Sequence, residues 1–154
     1  MRSVIAWGLI IGVAVIYNFF TDSRRDNSGE VVAEGRESVF DLRVGDCIKE
    51  TNDGGEIGTT TVVPCADPHE YEVFANFDLE PVTYPGSDAV VELAGEGWRA
   101  RFAGYFQTAY EESVLEVSAF FPTQDSWTRA ADRGVSCLGY RMDGQPMVGK
   151  VRGL

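Results

Sequence analysis

The sequence predicts an α+β fold: a mainly antiparallel sheet of about five or six strands with one principal packed helix, preceded by a single N-terminal transmembrane helix. Three observations lead there. Residues 4–20 read VIAWGLIIGVAVIYNFF, an uncharged run that makes roughly 25 Å of helix. Beyond residue 38, alternating or β-branched runs recur between clusters of Gly, Pro, Asn and Asp, which is strand patterning. One stretch, starting near Ser87, repeats its apolar residues at three- and four-residue spacing instead.

These features divide the chain into a transmembrane signal anchor over 1–20, a juxtamembrane tether over 21–37 and an extracytoplasmic domain over 38–154, a size suited to one core. The apolar run ends in Tyr17, Asn18, Phe19 and Phe20. No small-residue cleavage site follows it, so an uncleaved anchor is expected rather than a removed signal peptide. Gly8 and Gly12 form a GxxxG spacing, a candidate packing face for another membrane helix. Arg2 on one flank and Arg24 and Arg25 on the other leave the positive-inside balance undecided. Residues 21–37 are polar, without sustained apolar periodicity, hence the tether.

In the domain, Phe40, Leu42 and Val44 alternate with Asp41 and Arg43, which predicts a strand ending at Gly45 and Asp46. Asn52, Asp53, Gly54 and Gly55 suit a turn, and residues 59–63 are β-branched throughout, a second strand running to Pro64 and Cys65. Cys47 and Cys65 thus both sit at strand ends. Tyr71, Val73, Ala75 and Phe77 mark a third strand. Ser87 is a candidate N-cap for a helix with the stripe Val91, Ala94, Trp98, Phe102 and Tyr105. Gly95 and Gly97 each cost that helix about 1 kcal/mol relative to alanine, so packing must hold it. Leu115, Val117, Ala119 and Phe121 mark another strand, stopped by Pro122. Residues 124–133 read as a turn-rich connection carrying Trp127, and Asp143-Gly144 as the turn of a closing hairpin between 135–141 and 147–151.

The net charge is −11, and residues 37–154 hold nine Lys or Arg against twenty Asp or Glu. Without a basic stripe to meet phosphates, nucleic acid is not an expected partner. An acidic surface suits solvation, or docking to a basic protein patch.

His69 is the single histidine. A hydrolase reading makes it a general base oriented by Asp67 or Asp46, with Ser126, Ser136 and Cys137 as nucleophiles by residue type alone. The plainer reading is a turn at Asp67-Pro68 with the imidazole bonded to local backbone. No G-x-S-x-G, HExxH or phosphate-cradling loop accompanies it, so no catalytic site is expected. Cys47, Cys65, Cys137 and His69 compose a Cys3His zinc set by type, but zinc modules bring ligands in close pairs and only Cys65 and His69 are near in sequence; no metal or other cofactor is expected. Trp127, Phe120, Phe121, Tyr84 and Tyr110 can line a groove for glycan or peptide, or fill a core.

The segments VFDLRVGDC at 39–47, VPCADPHEYEVFA at 63–75, YPG at 84–86, SW at 126–127, DRGVSC at 132–137 and GKVRG at 149–153 together resemble the actinobacterial septum formation domain family. The resemblance implies an envelope protein, anchored or secreted, linked to division and without a defined biochemical activity. With the anchor, it favours a Cys47–Cys65 disulfide over reduced thiols; such a bridge contributes roughly 3 kcal/mol. Members usually carry four cysteines. Trp98 stands where the helical cysteine is expected, which leaves Cys137 an unpaired thiol.

The expectation is therefore a non-enzymatic accessory or interaction protein of the cell membrane, single-pass, with its domain outside, engaging other membrane or divisome proteins. A small envelope hydrolase built on His69 and a ligand-sensing module are the alternatives.

Overall fold

A computed structural model describes residues 23–51 and 58–153. The expected anchor, with Gly8 and Gly12, lies outside the described residues. No helix among the described residues is long and apolar enough to cross a membrane.

The strands are β1 (Arg24–Arg25), β2 (Val31–Ala33), β3 (Gly35–Ser38), β4 (Cys47–Glu50), β5 (Thr59–Val63), β6 (Tyr71–Asp78), β7 (Leu115–Phe120) and β8 (Gly134–Arg141). The helices are α1 (Ser87–Phe106) and α2 (Gln124–Arg129), with a 3-10 turn at Tyr110–Glu112. Strands β3-β5-β4-β6-β8-β7 form one sheet in that order, and β1 pairs with β2 separately. Every strand pair is antiparallel. The α+β class with one principal helix on a mainly antiparallel sheet is thus the fold observed.

Helix α1 covers one face. Val90, Ala94, Phe102 and Phe106 are its buried residues, packed on Phe74, Ala75, Leu115, Val135 and Cys137. The buried stripe is offset from the expected one: Val90 replaces Val91, which is exposed, and Phe106 joins it. Gly86, at φ 101°, is the N-cap and Ser87 the first helical residue. Gly97 has a packing reason, because a Cβ there would lie 2.1 Å from the Phe77 ring. A register shift between Val73 and Ala75 lets consecutive residues Phe74 and Ala75 both serve this core.

On the opposite face, Ile48, Val62, Val73 and Leu138 are covered by Val31, Val39 and Leu42. This cover overturns two expectations. The tether of 21–37 is folded over its described part, with β3 paired to β5 from Gly35↔Val62 to Ser38↔Thr59. Residues 39–46 form turns rather than a strand: Val39 and Leu42 are buried while Phe40 is 70% exposed. The cause is local capture by Asp46. Its carboxylate accepts the Arg43 backbone N–H at 2.8 Å and a two-pronged pair from Arg25 at 2.7 and 2.8 Å, which curls the chain where alternation alone suggests extension.

Two further differences fall late in the chain. The connection after Pro122 contains α2, started by a capping box between Thr123 and Ser126. The closing hairpin does not form. Gly144 turns at φ 67°, but Met147 then pairs with His69 in an isolated bridge, so the tail runs beside the start of β6 instead of returning along β8.

Candidate functional site

Strand β6 has a buried polar centre at its start and an open groove at its other end. Cys47 and Cys65 form a disulfide with Cα atoms 5.2 Å apart, because β4 and β5 pair with Cys47 opposite Val63. His69 is 1% exposed. Its Nδ1–H donates to the Asp67 carbonyl at 2.8 Å, and its backbone exchanges two hydrogen bonds with Met147. Nε2 is buried without a partner among the described residues.

Glu72 is fully buried. Its carboxylate accepts from Tyr105 Oη on α1, from the Val151 N–H at 2.8 Å and from Arg152 Nη1 at 3.4 Å. The Arg152 guanidinium also lies 4.0 Å over the Tyr105 ring. Burial, and then the bond to Glu72, push the Tyr105 hydroxyl well above its ordinary pKa, so it stays a donor. A buried carboxylate with three donors from two other elements is satisfied. It ties strand, helix and tail in one arrangement.

Neither acid considered for His69 orients it. The Asp67 side chain is exposed, and Asp46 is taken up by Arg25. Ser126 donates to Asp132 at 2.8 Å within its own cap, and Cys137 is buried in the helix-side core, where desolvation pushes its thiol up to about 12. The Cys47 sulfur, a His69 ring nitrogen and a Glu72 oxygen do lie within 4.8 Å of one another. With both sulfurs in the disulfide, no thiolate is offered to a metal.

The other end of β6 is open. A groove of about 920 Å³ runs across the ends of β6, β8 and β7, lined among others by Val39, Phe40, Asn76, Phe120, Phe121 and Arg133. Its floor is the row Asn76–Ser136–Phe120 across three paired strands. Asn76 donates to the Leu42 carbonyl at 2.7 Å, which fixes the wall that carries Phe40. Phe40 is 70% and Phe121 45% exposed. Asp78, Asp125 and Asp132 also face the groove.

Of the aromatic set singled out in the sequence, only Phe120 and Phe121 line this groove. Trp127 is buried, 5.6 Å from Tyr84 and beneath Arg133 at 3.8 Å; as a core residue it presents no docking face. Tyr110 packs on Trp98 at 4.9 Å. The sequence reading missed Glu72, Tyr105 and Arg152 as one cluster, and Phe40 as an exposed aromatic. Alternation assigns Glu72 to the polar side of β6, and only its tertiary partners show otherwise.

A family model described as septum formation matches residues 21–143, spanning both the folded segment before residue 38 and the groove. Comparison with curated proteins and with solved structures gives no match.

Proposed function

We propose a division-linked binding role for this chain, which belongs to the septum formation family. It is a non-enzymatic accessory protein of the cell envelope, held by residues 4–20 as an anchor, with its acidic domain on the extracytoplasmic side. It engages other membrane or divisome proteins. The observation that carries this reading is the contrast along β6: the groove exposes Phe40 and Phe121 to solvent, while His69 is sealed from it and Glu72 is spent on internal bonds. Exposed aromatics in a concave, largely apolar setting are what a protein docking face requires.

The test is mild-detergent affinity purification of the tagged full-length protein beside variants with Phe40→Ser and Phe121→Ser and one lacking residues 1–20. A stoichiometric membrane partner, lost on changing the two phenylalanines, supports docking through the groove. Loss only on removing residues 1–20 assigns the contact to the anchor. If the protein emerges alone in every form, the docking reading fails.

The groove's volume also suits a small envelope ligand, which is the ligand-sensing alternative. Thermal shifts with soluble envelope fractions separate that case from protein docking. A hydrolase built on His69 predicts that His69→Ala abolishes cellular function without unfolding the domain.

A further inference from the structure

Strand β7 is an edge strand of the main sheet, and the groove opens beside its C-terminal half. The ladder shows which of its backbone groups face outward. The Met142 N–H donates to the Val114 carbonyl at 3.0 Å, and the register runs from Leu115↔Arg141 to Phe120↔Ser136. Antiparallel pairs alternate, so Glu116, Ser118 and Phe120 bond to β8, while Leu115, Val117 and Ala119 turn their N–H and C=O groups away from the sheet.

The first two outward donors are closed off by side chains. Ser113 Oγ accepts from the Leu115 N–H at 3.2 Å, and the Glu116 carboxylate accepts from the Val117 N–H at 3.0 Å. Tyr110 Oη holds that carboxylate in place. Such closure is how edge strands are kept from pairing. It stops at Ala119, where the edge meets Phe121 and the groove. The lining acids are Asp78, Asp125, which pairs with Arg129 at 2.9 Å, and Asp132, which accepts from Ser126 Oγ and the Gly134 N–H. Among the described lining residues the one cation is Arg133, stacked on Trp127 and donating to the carbonyls of Trp127, Asp132 and Val82.

We propose that the open end of β7, at Ala119 to Phe121, is a strand-addition site for an extended segment of a partner protein in which apolar residues alternate with lysine or arginine. The proposal rests on the docking reading above and names the partner's chemistry. The added strand pairs with the outward N–H and C=O of Ala119. Its apolar side chains meet Phe40 and Phe121, and its cations meet the groove's acidic lining, Asp78 first.

The probe is a fluorescein-labelled octapeptide of alternating valine and lysine, with valine–glutamate and serine–lysine counterparts, titrated into the full-length protein in non-ionic detergent. The valine–lysine peptide is expected to bind at least about tenfold more tightly than either counterpart, and Phe40→Ser and Asp78→Asn each to weaken it about threefold or more. Ala119→Pro, which removes an outward donor and no bond to β8, should abolish binding. Should that variant unfold, backbone amide shifts in the unaltered protein decide: they must concentrate at residues 119–123. Equal binding of the valine–glutamate peptide, shifts centred elsewhere, or no binding at ~1 mM overturns the proposal. A native partner that still depends on Phe40 and Phe121 when the peptide fails leaves the docking reading standing and refutes only this occupant. Failure of both removes the two together.

Discussion

Gly139→Ala tests whether the sheet and helix α1 touch as closely as the structure places them. Gly139 lies in β8, opposite Glu72 on one side and Val117 on the other. A Cβ there would sit 2.6 Å from Phe106 Cζ and 3.1 Å from Cε2, against about 3.5–4.0 Å for an ordinary carbon contact, so the ring must retreat by about 1 Å. It has nowhere to go. Phe106 is fully buried, with ring centroids of Phe102 at 4.7 Å, Tyr105 at 5.0 Å and Phe74 at 5.2 Å. Overpacking of this kind costs about 1–3 kcal/mol, while alanine in a strand gains about 0.5–1 kcal/mol over glycine through the unfolded chain. The expected net is a loss of up to about 2.5 kcal/mol, read as a lower urea midpoint at unchanged slope. Phe106→Leu removes the obstructing ring tip, and in that background Gly139→Ala should become neutral or stabilising. If Gly139→Ala is stabilising in the unaltered protein, or its effect is the same in both backgrounds, the close approach is not why glycine stands there.

Reduction of the Cys47–Cys65 disulfide, which closes an 18-residue separation, should lower unfolding stability by roughly 3 kcal/mol, measured by urea denaturation with and without a dithiol reductant; no shift would mean the tail and sheet hold that end unaided. Cys137, buried with its thiol pushed up to about 12, should resist alkylation at neutral pH in the folded protein and react on unfolding, followed by mass spectrometry. Glu72→Gln removes a buried charge with three donors; the expected loss is about 2–4 kcal/mol, with amide exchange rising first at Val151, and wild-type stability would refute the tie between tail and strand. The Tyr110 hydroxyl, then the Val117 N–H, lower the pKa of Glu116, so the cap on the β7 edge is present above the ordinary carboxylate pKa and lost as pH falls through the lowered value. Tyr110→Phe should raise that pKa, read by carboxyl-carbon NMR; an unchanged titration would show the hydroxyl is not the cause.

What the sequence made legible follows the range of the forces involved. Strands β5 and β6 announce themselves through β-branched runs and alternation, and the cysteines at strand ends mark the bridge. The helix is legible from its period, but which face is buried depends on the sheet it meets, so Val90 and Phe106 are buried where the period alone suggests Val91 and Tyr105. Residues 39–46 mislead because Asp46 bonds a guanidinium from Arg25, 21 positions away. The tether was misread for a related reason: β3 is polar at an edge, so its pairing with β5 leaves little hydrophobic signature. The groove could not be read at all. Its walls come from separated parts of the chain, near residues 40, 58, 77 and 119–136, and nothing local distinguishes Phe40, which is exposed, from Trp127, which is buried.

The two ends of β6 bear differently on what the domain can do. From Glu72 to Asn76 and Asp78 is four to six residues, roughly 13–20 Å of strand. At the near end a disulfide, a sealed histidine and a satisfied carboxylate lock β4, α1 and the tail together. Rigidity there has a cost in buried polar groups that only fixed geometry offsets. At the far end, beyond the register shift between Val73 and Ala75, the same strand presents Asn76 to the wall of an open groove. A docking face on a rigid element loses less entropy on binding than one on a loose loop. On the proposed docking role, the polar centre would act at a distance, by fixing the strand that also carries the groove. Changes at Glu72 should alter the domain's stability far more than peptide affinity at the groove, whereas Phe40→Ser should do the reverse.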